Sequence, residues 1–157
     1  MYLFLKKENH VVKSLSTLMY RDVSTNQWDQ INLTKENLDY SIESLSIIDE
    51  YIEKVKGTEL IKKNLNTFSI RIGAYVGEVI RRKLGKDYNW YDYQTIEHLI
   101  PNAQDFYDYI KSQQVLYSKK DKQFIIPMYE VYDCFQGNSQ YTNINSYVVE
   151  KVNNQSK

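Results

Sequence analysis

Cysteine, proline, histidine and net charge are all scarce in this chain, and each shortage removes a class of explanation. A single cysteine, Cys134, in 157 residues excludes an internal disulfide framework. Within YEVYDCF it reads as a small core residue rather than a reactive thiol. The two histidines, His10 and His98, stand far apart in unlike contexts, and no HExxH, CxxC or dense carboxylate cluster offers a metal site. A Gly-rich phosphate loop and a GxSxG elbow are absent too, so neither metal nor cofactor is expected. A Cys134–His98 dyad would have no local signature behind it. Lys plus Arg and Asp plus Glu number 20 each, for a formal charge of zero. Up to Gly85 there are 13 basic and 11 acidic residues, and after it 7 and 9, so neither half has the asymmetry of a nucleic-acid or membrane-surface binder. The runs Arg81-Arg82-Lys83 and Lys119-Lys120 read as a helix C-terminus and a turn. MYLFL carries no basic stretch ahead of it and is too short for a signal core or a spanning helix, which makes a cytoplasmic location the expectation.

With only two prolines, no Pro-rich linker and no internal repeat, residues 1–157 read as one domain of globular composition. Tyr2 to Leu5 fit either a short strand or the start of the first helix. Asn9 is a candidate N-cap for a helix carrying Val12, Leu15, Leu18 and Met19. Thr34 or Asn37 opens a predicted long helix to about Lys56, stopped by Gly57. Thr58 caps the next, which passes a kink near Asn64–Asn66 and ends at Gly85. Residues 1–85 are thus mainly helical, with an αα-hairpin at Gly57-Thr58.

Residues 86–152 have a different texture, holding ten of the 15 tyrosines between Tyr88 and Tyr147. DYNWYDYQTI suggests a strand, and Asn102 to Gln114 a helix. QVLYSKKDKQFII is a β-hairpin turning at Ser118–Gln123. Pro127 ends its second strand and starts a helix that Gly137 terminates. Ser139 or Asn143 caps a last helix through Ile144, Tyr147 and Val152, and the tail 153–157 is expected to fray.

At about 100° per residue, Leu38, Ile42, Leu45 and Ile52 share one face of the first long helix, and Asp49 falls inside that stripe. Two readings remain for it: a buried polar group satisfied by hydrogen bonds, or a functional acid in a pocket. On the second helix Phe68, Ile72, Tyr75, Val76 and Val79 make a large face. Gly73 and Gly77 make a small one, although each interior glycine costs roughly 1 kcal/mol against alanine. The pattern predicts a central helix that another backbone approaches closely. Arg71, Glu78 and Arg82 form its narrow polar strip. Either Glu78 pairs with Arg82 in a solvated ladder, or one arginine turns inward to Asp49.

The order SIESLSIIDEYI, GAYVGEVIRRKLG, NW and KQFIIPMYEVYDCFQG resembles a layout shared by small bacterial proteins, mostly uncharacterised. Some of those sit beside polymorphic-toxin genes as immunity-type proteins. The matching positions are Ser44, Leu45, Asp49, Tyr51, Gly73, Tyr75, Gly77, Glu78, Gly85, Trp90 and Pro127, with Tyr91 to Gln114 as an insertion. The resemblance transfers no catalytic residue and implies a protein partner.

The expected fold is α+β: a helical hairpin whose Gly-containing central helix packs on a small antiparallel sheet, followed by C-terminal helices. The expected function is a non-enzymatic cytoplasmic binding protein of immunity type. Its contact residues would be Trp90, Tyr91, Asp92, Tyr93, Asp105, Tyr107 and Asp108, aromatics beside acids that suit a basic toxin. The alternative is a small enzyme or ligand sensor with a pocket at Asp49, Glu78 and Arg82. A structural or phage-accessory role is a third reading.

Overall fold

The computed structural model describes residues 5–100 and 113–155. Within these the helices are α1 (Asn9–Arg21), α2 (Gln27–Asn32), α3 (Leu45–Val55), α4 (Glu59–Leu84), α5 (Tyr93–Ile96), α6 (Pro127–Gln136) and α7 (Ile144–Gln155). The strands are β1 (Tyr88–Asp92), β2 (Gln114–Ser118) and β3 (Gln123–Ile125), antiparallel in the order β1-β2-β3. The class is α+β, as expected. The helix expected over Asn102–Gln114 lies outside the described residues up to Ser112, and Gln114 begins β2. No helix among the described residues is long and apolar enough to cross a membrane.

Helix α4 is the axis of the molecule. Thr58 accepts the Ile61 N–H at its start, and Arg81, Arg82 and Lys83 complement the helix dipole in its last turn. At Asn64 the backbone leaves helical geometry (φ −132°, ψ 30°), and the Asn64 amide bonds the Leu60 carbonyl at 2.9 Å, so a carbonyl at the kink keeps a partner. Helices α6 and α1 pack most extensively against α4, α7 less so, while α3 rests mainly on α7. The two helices of the sequence hairpin therefore bury their apolar stripes largely against other elements.

The glycines of α4 are explained by what lies on them. A Cβ on Gly73 would stand 2.5 Å from the Met128 Cα and 2.9 Å from its backbone nitrogen, in the first turn of α6. A Cβ on Gly77 would enter the six-membered ring of Trp90 and meet Pro127 Cγ at 3.1 Å. The small-residue face is thus where the sheet and the start of α6 close on α4.

Strand registers place Trp90 opposite Leu116, and Leu116 opposite Ile125. That row faces α4 and joins a core running from Val12 to Val148. The alternate row, Tyr91, Val115, Tyr117 and Phe124, belongs to a second apolar cluster with Tyr93, Ile96, Ile100 and Ile126. Both faces of the sheet are therefore covered. On the outer edge of β1, Glu8 N–H bonds the Trp90 carbonyl at 2.7 Å and Lys7 bridges Tyr91. Asn9 was expected to cap α1, but its side chain instead accepts the Trp90 N–H at 2.7 Å and donates to Asn89 at 2.8 Å, so it extends the sheet edge.

Two expected elements are corrected. Helix α3 begins at Leu45, not at Thr34 or Asn37, because Asp39 captures the Ser41 N–H and hydroxyl while Tyr40 takes a left-handed backbone (φ 65°). Tyr75 holds that turn, its hydroxyl accepting the Tyr40 N–H at 2.9 Å and meeting the Ser44 hydroxyl at 2.7 Å. At the other end, α7 runs through Gln155, past the expected limit at Val152.

Gly73→Ala and Gly77→Ala should each destabilise the fold by about 1–3 kcal/mol through overpacking, although alanine favours a helix in isolation. Gly73→Ala should be the worse, since Met128 meets it with main-chain atoms. Thermal and urea unfolding measure both, and unchanged or raised stability would contradict the packing.

Candidate functional site

Three polar constellations grow from this frame. In the first, Glu78 is completely buried on α4. One carboxylate oxygen accepts Arg81 Nε at 2.7 Å and the Trp90 indole N–H at 2.8 Å, and the other accepts Arg81 Nη2 at 3.2 Å. Sequence periodicity assigned Glu78 to Arg82 and to solvent. The structure pairs it one residue earlier, because Trp90 closes over Gly77 and places the indole donor at the carboxylate. Arg82 instead lies 3.7 Å from the ring centroid of Tyr40, which stacks on Tyr75 at 4.8 Å. Arg71 pairs with Asp22 at 2.7 Å. Asp49, Glu78 and Arg82 are thus spread over three separate contact sets and do not assemble into one pocket.

Asp49 does not meet an arginine either. Its two oxygens accept the N–H groups of Ile144 and Asn145, at 2.8 and 3.2 Å, and so cap the first turn of α7 from another helix. Asn143 supplies the local cap through Ser146 N–H at 2.8 Å, while Ser139 is engaged with Glu130. Burial raises the Asp49 carboxyl above its ordinary value, and the two amides oppose that shift.

The third constellation was not singled out from the sequence. Glu130, in the first turns of α6, is buried; its Oε2 accepts the Ser139 hydroxyl and, at 3.5 Å, the Cys134 thiol. Burial raises its carboxyl, and Asp133 one turn on adds like-charge repulsion. Cys134 is pushed up to about 12, by burial and then by the Glu130 charge, so at neutral pH it is a thiol that donates a hydrogen bond. His98 is exposed on the turn Glu97–Leu99 and is no partner of it. The signal that would have found Glu130 is the one that found Asp49, an acid among apolar residues on a helix.

Glu130 lines the smaller of two surface clefts. The larger, about 840 Å3, lies between α3 and the connection from α6 to α7, and is bordered by Trp28, Asp49, Glu50, Glu53, Cys134 and Tyr141. The smaller, about 420 Å3, runs between β3–α6 and α7, and shares Tyr141 with the first. Exposed Glu50, half-buried Asp133 and buried Glu130 have no cation within 4 Å among the described residues. Lys54 is held by Asp29 at 2.6 Å, Lys56 by Glu53 at 2.8 Å, and Lys151 lies 3.8 Å from Glu150. Among the described residues no group of three or more His, Cys, Asp or Glu is placed to hold a metal ion.

The contact residues expected from the sequence are placed differently. Trp90, Tyr91 and Tyr93 are 0%, 1% and 0% exposed, so they cannot touch a partner from this surface. The second apolar cluster buries Tyr91 and Tyr93, and α4 covers Trp90 on the other sheet face. Asp92 is half-buried and caps α5 by accepting the Gln94 N–H at 3.0 Å. Asp105, Tyr107 and Asp108 lie outside the described residues.

Two variants test this geometry. Glu78→Ala should cost about 3 kcal/mol or more, since it strands a buried indole donor and a partly buried guanidinium. A double-mutant cycle with Arg81→Ala should be clearly non-additive, and additivity would contradict the pair. Glu130 has a raised carboxyl, so its contribution is whole below its ordinary 4.5 and is lost as pH rises through the higher folded value. Glu130→Gln should therefore raise the melting temperature near pH 7.5 and converge with the parent near pH 4; the opposite trend would refute the assignment.

No protein-family model, curated protein or solved structure matches this chain.

Proposed function

We propose that this chain is a non-enzymatic, cytoplasmic bacterial protein that binds another protein, of the immunity type, and that the partner presents a basic surface such as that of a nuclease toxin. The observation that carries the reading is the uneven use of carboxylates. Interior acids are engaged in structural hydrogen bonds: Glu78 to Trp90 and Arg81, Asp49 to the amides of α7. At the two clefts, Glu50 and Asp133 have no cation within 4 Å among the described residues, whereas Glu130 is held by Ser139 and Cys134. Lys54 and Lys56 also line the larger cleft but are engaged by Asp29 and Glu53, so Glu50 and Asp133, beside the half-buried ring of Tyr141, are the charges left to steer and anchor a positively charged protein.

On this reading the contact face lies on α3, α6 and α7 rather than on β1. Asp49 borders the larger cleft, yet both of its oxygens accept helix amides, which favours a scaffolding role over a catalytic one.

Affinity capture from the native host at low and at moderate salt tests the proposal. A stoichiometric basic partner is expected, with capture weakened at higher salt and lost in the Glu50→Lys/Glu53→Lys double variant while the melting temperature stays unchanged. Capture indifferent to both salt and charge reversal, or no partner under sensitive conditions, would refute it.

A further inference from the structure

The smaller cleft has a chemistry of its own. Phe124, Tyr129, Tyr141 and Tyr147 contribute aromatic surface to it, and Glu130 and Asp133 stand in it one turn apart on α6. Like charges at that spacing repel, and burial raises both carboxyls. The Asp133 carboxylate accepts no hydrogen bond and meets no ion-pair partner among the described residues. Among the described residues the one cation lining the groove is Lys151, which stands 3.8 Å from Glu150 and 5.7 Å from the ring centroid of Tyr147 and attracts Glu130 from beyond ion-pair distance. Glu150 also accepts the Tyr141 hydroxyl at 2.6 Å, which fixes that ring at the groove's margin.

These groups discriminate sharply among occupants. An anion would meet Glu130 and Asp133 and be repelled. An apolar group would bury the Asp133 carboxylate without a partner, which is costly. A cation gains from the ring faces and from both carboxylates together. A planar guanidinium suits the arrangement better than an ammonium, because it stacks on a tyrosine while offering paired donors to carboxylates. At about 420 Å3 the groove is at the small end of ligand-sized clefts, a size for a side chain rather than for a helix.

We propose that the groove between α6 and α7 receives an arginine side chain of a protein partner, stacked against its tyrosines and paired with Asp133 and Glu130. This rests on the reading of the partner as basic, and names the anchor by which it is held. The groove holds two like-charged carboxylates one turn apart on α6, an arrangement that binding of a guanidinium relieves.

The test uses the intact chain, isotope-labelled, titrated with acetyl-Gly-Arg-Gly-amide and, in parallel, with the same peptide carrying citrulline. Citrulline keeps the shape of arginine and removes its charge. Saturable amide shifts centred on Asp133, Tyr141 and Lys151 are expected for the arginine peptide, with none for citrulline. Asp133→Asn should weaken the arginine peptide by roughly tenfold, the worth of about 1.4 kcal/mol, with an otherwise unchanged spectrum. Equal binding of the two peptides, shifts centred elsewhere, or indifference to Asp133→Asn overturns the proposal. If the arginine peptide fails while Glu50→Lys/Glu53→Lys still abolishes capture of a basic partner, the anchor is wrong and the broader reading stands. If the peptide binds as expected and the host yields no partner, the groove stands and the broader reading falls.

Discussion

Trp90 seated over Gly77 is the contact on which the rest of this structure depends. Its ring occupies the space a side chain at Gly77 would need, and its indole N–H, 2.8 Å from Glu78, turns a buried carboxylate into a bonded one. The backbone N–H and C=O of Trp90 are taken by Asn9 and Glu8, so the same residue joins β1 to the start of α1. One side chain therefore links the central helix, the sheet and the N-terminal segment. An unpaired carboxylate at that depth would be untenable, and an unbonded indole nearly so. The glycine, the glutamate and the tryptophan are one unit spread over residues 77 to 90.

The polar interior follows the same logic of completing bonds at element ends. Asp49 caps α7 across the core, Tyr75 holds the left-handed turn at Tyr40, and Asp29 receives both Ser24 and Lys54. Each joins segments distant in sequence, and each fixes a relative position that apolar packing alone leaves free to slide. Function, on this account, lies where the bonds are incomplete. Among the described residues, Glu50 on α3 and Asp133 on α6 have no cation within 4 Å, and a basic protein is the counterpart proposed for them.

Local features were legible in the sequence because their causes are local. Gly57, Thr58, Pro127 and Gly137 bound helices by their own backbone chemistry, and Ser118 to Gln123 turn a hairpin between two apolar runs. The meaning of Gly73 and Gly77 was legible in outline, since two costly residues on one helix face require a close neighbour. Which neighbour was not legible, because Met128 and Trp90 reach that face only through tertiary folding. Asp49 was correctly placed in an apolar stripe, but its partners are amides 95 residues away. The aromatics of β1 misled for a different reason. A tyrosine on a sheet face is equally at home against a partner or beneath a second layer, and here the second layer exists. Tyr40 misled because a left-handed tyrosine breaks a helix that periodicity continues.

Native-state hydrogen exchange of the two indole N–H groups tests the central contact most directly. Trp90 is fully buried and bonded to Glu78, whereas Trp28 is half-buried on α2. The account predicts that the Trp90 indole exchanges only through global unfolding, at a rate set by the whole stability of the domain, and that the Trp28 indole exchanges far faster. A Trp90 indole exchanging as fast as that of Trp28 would contradict it, for the sheet would then not be locked to α4 at Gly77.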